Sequence, residues 1–468
     1  SEHPPPATAT AERTAPAPPA DPAAPEQAPT RPARITGLDG IRGLAALFVV
    51  ASHIFERAWP GYPSATHAPF WAAWLLYGRA AVAVFIVLSG FSLGLGPART
   101  GWRFTSLTTY AHRRAWRILP PYWAALAFSL IMTWYVLAQP HWPKPTGKSV
   151  VVYGLLAQDA YTAHSLGSPN RAFWSIAVEA QLYFVLPLLL LLVRRISALA
   201  MVGVVAVIVV TIGLLGPHVA LMNTALIKFT PDLAVLFAVG LLAAGIVTAD
   251  QRTRSRPWPG YALATAVPPI VLMIVNGSVW SNLNLFWLDL AWAPAIGCFL
   301  AAIATSRPRA VVRFLNSRLP RSLGSCSYSL YLTHLPIVIA ISYGLVGNRV
   351  GPGAPRFFVL VLILVPVTVG FARMFAAIFE IPFMRHRGWT PLRQAMSARL
   401  HQVRPPGLAP LTWRWPLVSR AIGPRSPADE RYTPAHPQLV ADHARPASRP
   451  GPQAQPSPGD SAARPESC

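Results

Sequence analysis

Acidic residues are scarce. The 468 residues hold 17 Asp and Glu against 40 Lys and Arg, and charged side chains of either sign make up only 12% of the chain. Soluble domains carry about a quarter charged residues, so this chain, 53% hydrophobic with a mean hydropathy of +0.39, reads as a membrane protein. The net charge of +23 does not describe a groove for nucleic acid, because the arginines fall between apolar runs and in the tails rather than on one soluble face. Cysteine is nearly missing. Cys298, Cys326 and Cys468 offer neither a disulfide framework nor a metal-ligand spacing, so small core residues are expected and a metal is not. A soluble domain between the apolar runs and a convincing internal repeat are also lacking, and the second absence disfavours a transporter built from inverted repeats.

The opening segment SEHPPPATATAERTAPAPPADPAAPEQAPT has no hydrophobic core, so residues 1–34 are expected to form a disordered Pro/Ala-rich tail, with the first apolar run acting as an uncleaved signal-anchor. Residues 393–468 turn again to Pro, Arg, Ser and Gln and read as a basic disordered tail. Between them, residues 35–392 form the expected membrane domain.

A bilayer core of about 30 Å requires roughly 20 helical residues per crossing. Ten runs qualify, near residues 38–56, 77–96, 117–138, 172–193, 197–215, 229–248, 259–276, 284–305, 323–345 and 356–379, so the expected fold is an all-α bundle of ten transmembrane helices. Arginines collect in alternate connections: Arg99, Arg103, Arg113, Arg114 and Arg117 after the second run, Arg194 and Arg195 after the fourth, Arg252, Arg254 and Arg256 after the sixth, and Arg307, Arg309, Arg313, Arg318 and Arg321 after the eighth. Positively charged loops resist translocation, which predicts both termini in the cytoplasm. The longest outer segment, 139–171, is placed to cover a site facing outwards.

Three ionisable groups interrupt the first run, GLDGIRGLAALFVVASH. Arg42 and His53 are eleven residues apart, which at 100° per residue leaves them about 20° from one another, and Asp39 falls within about 40° of His53. All three can face a bundle interior. Arg42 then lies near the cytoplasmic boundary and His53 about 16 Å along the axis, in the outer half of the membrane. Imidazole is the natural group to take a proton from a hydroxyl, although a histidine near a helix end also serves as an interface residue, Arg42 as a positive-inside anchor and Asp39 as a helix-start residue. In the fourth run, FWSIAVEAQLYFVLPLLL, Glu179 lies about 9 Å deep, at a depth where it could meet and orient His53 or pair with an interior arginine.

YAHRRAWRILPPYW sets Arg114 and Arg117 one turn apart with Arg113 beside them, either a phosphate clamp or a topological anchor. VFIVLSGFSLGLG, with Ser89, Gly90, Ser92, Gly94 and Gly96, reads as a close helix contact. LGSCSYSLYLTHLPIV adds Tyr331 and, near mid-depth, His334, a second candidate for proton transfer or substrate contact. Thr230, Pro231 and Asp232 read as a helix start. Asp289 has no evident role.

LDGIRGLAALFVVASH, VFIVLSGF, RRAWRILPPYW, FWSIAVEAQLYFVLPLL and LGSCSYSLYLTHLPIV, in this order, resemble the membrane-bound acyltransferase family 3, the bacterial integral-membrane O-acyltransferases. The resemblance covers about residues 35–385. It implies transfer of an acyl group, usually acetyl, from cytoplasmic acyl-CoA to a hydroxyl of a carbohydrate, glycolipid or secondary metabolite such as a macrolide, in the bacterial cytoplasmic membrane, with acyl-CoA as a substrate and no bound cofactor. By motif, His53 matches the essential histidine, Arg42 its arginine partner, Arg114 and Arg117 the basic pair associated with the donor, and Glu179 the carboxylate of the WSxxVE run. Many members have two consecutive glutamates where this chain has Glu179 and Ala180, and no esterase-like soluble domain follows the membrane helices. A soluble or diffusing acceptor therefore suits the chain as well as an anchored polymer. Ser89, Tyr331 and His334 are further candidate substrate contacts. From buried charges and helix number alone, a transporter or flippase for a polar or glycosylated substrate is the competing reading, and a scaffold acting through its tails is a third.

Overall fold

In the computed structural model of the chain, the long apolar runs are largely helical over their described residues. The structure describes residues 35–64, 67–104, 106–136, 144–161, 167–386, 388, 390–394 and 397, and among these there is no strand. The predicted tails lie outside the described residues, apart from Arg393, Gln394 and Ser397. The main helices are α1 (Leu38–Ala58), α2 (Gly78–Arg99), α3 (Leu107–Ile131), α4 (Trp174–Arg195), α5 (Ala198–Leu215), α6 (Asp232–Thr248), α7 (Trp258–Leu283), α8 (Leu285–Ala304), α9 (Ser327–Ile341) and α10 (Ala354–Phe375).

Among the described residues, 8 helices are long and apolar enough to cross a membrane. These are α1, α2, α4, α5, α7, α8, α9 and α10, four of them lengthened by a flanking helical turn or two. The two other runs expected to cross also fold as helices but fall outside that set: α3 carries Arg113, Arg114 and Arg117 in its first half, and α6 has 17 residues. Local signals explain several starts. Ser106 accepts from the Thr109 amide at 3.2 Å to begin α3, and Ser197 from the Ala200 amide at 3.1 Å to begin α5. The Thr230 reading is shifted by one residue, because Thr230 is left-handed (φ 38°), Pro231 caps α6, and Asp232 is the first helical residue.

Burial orders the bundle. The span beginning at α9 is 72% buried and sits at the centre, whereas the α7 span is 6% buried and lies on the periphery. α1 packs on α9, α10 and the short helix Arg318–Gly324. α2 packs most extensively on α6, and there the small-residue reading of VLSGFSLG is explained. A Cβ on Gly90 would collide with the Phe237 carbonyl, and one on Gly240 would lie 2.8 Å from the Phe91 amide nitrogen and 3.1 Å from Gly90 Cα. The two backbones cross with no room for a methyl group between them. Gly94 meets Ala244 and Leu241, while Gly96 faces open space.

Gly90→Ala or Gly240→Ala should therefore destabilise the protein by about 1–3 kcal/mol, the usual cost of overpacking, and Gly96→Ala should be neutral. SDS-induced unfolding in mixed micelles measures both.

Candidate active site

Short connections and helix ends converge on a cavity of about 1040 Å³ at one end of the bundle. Its wall includes Arg42 from α1, Arg99 from α2, Arg114 and Arg117 from α3, Arg318 and Arg321 from the helix before α9, and Arg385 beyond α10. Three carboxylates share it, Asp39, Glu179 and Glu380. Its lining has a basic excess, and guanidinium groups are suited to binding anions such as phosphate through paired N–H donors.

The cationic wall is held in place. Arg42 donates from Nη2 to Ser92 Oγ at 2.6 Å, and its Nη1 lies 3.6 Å from Asp39 Oδ1. Asp39 thus works with Arg42, as well as standing in the first turn of α1. Tyr183 Oη donates to Glu179 Oε1 at 2.5 Å and lies 3.1 Å from Ser89 Oγ, while Arg114 stands over the Tyr183 ring at 5.9 Å. Glu380 accepts from the hydroxyl and amide of Ser329 at 2.5 and 3.2 Å. Arg113 is exposed and does not line the cavity.

His53 stands near the other end of α1. Neither it nor His334 lines the arginine cavity. A relay of rings joins the two places: Phe85 and Tyr331, both on the cavity wall, have centroids 5.9 Å apart, Tyr331 and His334 are separated by 5.8 Å, and His334 stacks on His53 at 5.2 Å. Tyr331 is fixed by its hydroxyl, which donates to the Ala172 carbonyl at 2.9 Å and lies 2.6 Å from Ser175 Oγ. The expected meeting of His53 with Glu179 is not what the structure contains. The carboxylate next to His53 is Glu56, with Oε2 3.0 Å from Nδ1, and Glu179 is engaged by Tyr183 in the cavity.

A third group of charges was missed. Arg79, in the first turn of α2, donates from Nη2 to Asp232 and from Nε to Asp289, both at 2.6 Å, and its guanidinium lies 5.1 Å from the centre of the Trp174 ring. The side chains are 21%, 2% and 5% exposed, so this is a buried ion triad joining α2, α6 and α8 beneath the start of α4. It accounts for Asp289 and gives Asp232 a task beyond helix initiation. The signal was charge of opposite sign in distant runs, an arginine with no assigned role against Asp289, likewise without one, and Asp232, read only as a helix start, whereas Glu56 was hidden by lying next to Arg57 at the end of the first run. Arg318 and Arg321 were visible as topological residues but not as cavity lining.

Asp159 lies in the segment before α4 and accepts from Gln181 Nε2 at 3.2 Å. Burial raises its carboxyl to about 7. A carboxyl raised in the folded state binds its proton more tightly there than when unfolded, so its contribution to stability falls as pH rises from about 4 to 7. Asp159→Asn should accordingly flatten the decline in melting temperature over that interval. Arg79→Ala should destabilise the bundle by about 3 kcal/mol, the low end for breaking a buried ion pair, because it leaves the two buried carboxylates of Asp232 and Asp289 unpaired, as measured by SDS unfolding.

No curated protein and no solved structure matches the chain. Residues 35–373 match the family model described as an acyltransferase domain, which spans most of the described helices. With this match over more than half its length, the chain, a multi-pass membrane protein, belongs to acyltransferase family 3.

Proposed function

We propose that the protein is a membrane-bound O-acyltransferase that moves an acyl group, acetyl by preference, from acyl-CoA to a hydroxyl of a carbohydrate, glycolipid or secondary metabolite such as a macrolide. The observation that carries this reading is the arginine-lined cavity in a chain of acyltransferase family 3. Coenzyme A is anionic at its nucleotide end and is made in the cytoplasm. The cavity is lined by arginines of the connections after the second and eighth runs, Arg99, Arg114, Arg117, Arg318 and Arg321, and by the positive-inside bias these connections belong to the cytoplasmic side. This orientation accords with ten crossings, α3 and α6 included, with both termini cytoplasmic, in a bacterial cytoplasmic membrane.

In the proposed reaction Arg114 and Arg117 hold the phosphates of the donor, and the exposed Arg113 adds long-range attraction. Arg42, fixed by Ser92, guides the pantetheine arm past Ser89 and Tyr331 toward His53. His53 takes the proton of the acceptor hydroxyl as its oxygen attacks the thioester carbon. Glu179 acts on the donor side, balancing the arginines through its hydrogen bond with Tyr183. His334, stacked on His53, is an acceptor-side contact. Acyl-CoA is consumed as a substrate, and no resident cofactor is required. Consumption of acyl-CoA separates this reading from a transporter, which would leave the thioester intact.

In protein reconstituted with acetyl-CoA and a panel of methyl glycosides, His53→Ala should abolish thiol release and ester formation without changing the SDS unfolding midpoint. Arg114→Ala combined with Arg117→Ala should raise KM for acetyl-CoA at least tenfold, about 1.4 kcal/mol of lost binding. Retained ester formation by His53→Ala, confirmed by mass spectrometry, would sink the assignment of the base.

A further inference from the structure

His53, Glu56, Arg57 and His334 meet at the end of α1 remote from the arginine cavity, and the proposed reaction uses only part of what they offer. His53 Nδ1 and Glu56 Oε2 are 3.0 Å apart, and because the residues stand three positions apart on one helix, the backbone itself sets their approach. Against the face of the His53 ring lies His334, with centroids 5.2 Å apart and planes inclined by 27°. His334 is fully buried. Its Nδ1 is 2.7 Å from the Tyr331 carbonyl and 3.2 Å from that of Leu330, and because carbonyls only accept, Nδ1 carries the proton. Arg57 donates from Nη1 to Tyr343 Oη at 2.8 Å, and its Nη2 stays 3.9 Å from Glu56 Oε2. Glu56 therefore has His53 as its short-range partner.

We propose that Glu56 is the positioning residue for His53, a proposal that rests on His53 being the base. A carboxylate can only accept, so the imidazole nitrogen facing it carries the proton, and in the neutral ring the lone pair is left on Nε2. The stack on His334 restrains rotation out of this arrangement. The acceptor O–H then gives its proton to His53 Nε2 while the hydroxyl oxygen bonds to the thioester carbon. The carbon–sulfur bond breaks, its electron pair leaves on sulfur, and the proton held by His53 ends on that sulfur to give free coenzyme A and the ester. Through the intermediate stage Glu56 offsets the charge of the imidazolium. Glu179 does not serve this role, because its Oε1 accepts from Tyr183 on the cavity wall.

Two readouts test this on full-length protein in phospholipid bilayers. In ¹⁵N-histidine-labelled protein, the His53 resonance is identified by subtraction of the His53→Gln spectrum. Wild type should show the Nδ1–H tautomer, and Glu56→Ala should move it to the Nε2–H form that an unconstrained neutral histidine side chain prefers. In acyl transfer from acetyl-CoA to methyl glycosides, Glu56→Ala should lower kcat about 100-fold, the low end of what positioned proton transfer contributes, with KM for acetyl-CoA within about twofold of wild type. The side chain is 44% exposed, so its removal leaves no cavity and the SDS unfolding midpoint should not move. An unshifted tautomer with wild-type kcat in Glu56→Ala, beside an inactive His53→Gln, overturns the role of Glu56 and leaves His53 standing. Activity in His53→Gln overturns both.

Discussion

One guanidinium ties the bundle together where hydrogen-bonding water is scarce. Arg79 on α2 is bonded to Asp232 on α6 and Asp289 on α8, and faces Trp174 at the start of α4. An isolated ion in such a setting would be costly, and bonding the arginine to two aspartates offsets part of that cost. The triad therefore makes the arrangement of these helices conditional on one another. It sits close to the α2–α6 contact, whose middle is the glycine crossing of Gly90 and Gly240. The polar triad selects which helices meet, and the glycines set how closely they pack.

This frame separates two chemical environments. On one side, arginines from five connections and helix ends surround a cavity large enough for a nucleotide-bearing ligand, with Glu179 and Glu380 held by Tyr183 and Ser329 so that the positive field is tempered rather than uniform. On the other, His53 lies against His334 and Glu56. Phe85 and Tyr331 stand between the two, and Tyr331 is braced by Ser175 and the Ala172 carbonyl. The division matters electrostatically, because cations grouped as they are in the cavity oppose protonation of any base placed among them.

The apolar runs were legible from composition because a bilayer leaves a helix no choice of period or length. α1, α2, α4, α5 and α8 fall close to where hydropathy places them, and the family was readable from five short motifs that the match over residues 35–373 bears out. Arg114 and Arg117 were recognisable as neighbours on one helix face, since spacing along a helix fixes angle. Glu179 was recognisable as a buried carboxylate, but not its partner: depth along an axis says nothing of azimuth or of which helix stands opposite.

By itself, then, the sequence determined helical class, the approximate spans, the alternation of basic connections and the family. Each follows from local rules, helix geometry and transfer cost among them. The tertiary structure alone decided that Arg79 pairs with Asp232 and Asp289, 153 and 210 residues away, that Arg318 and Arg321 join Arg114 around one cavity, and that His53 faces Glu56 and His334 while Glu179 faces Tyr183. Those pairings depend on how helices rotate and cross. That is settled by packing across the bundle, at contacts such as Gly90 on Gly240, and not by any residue's neighbours in the chain.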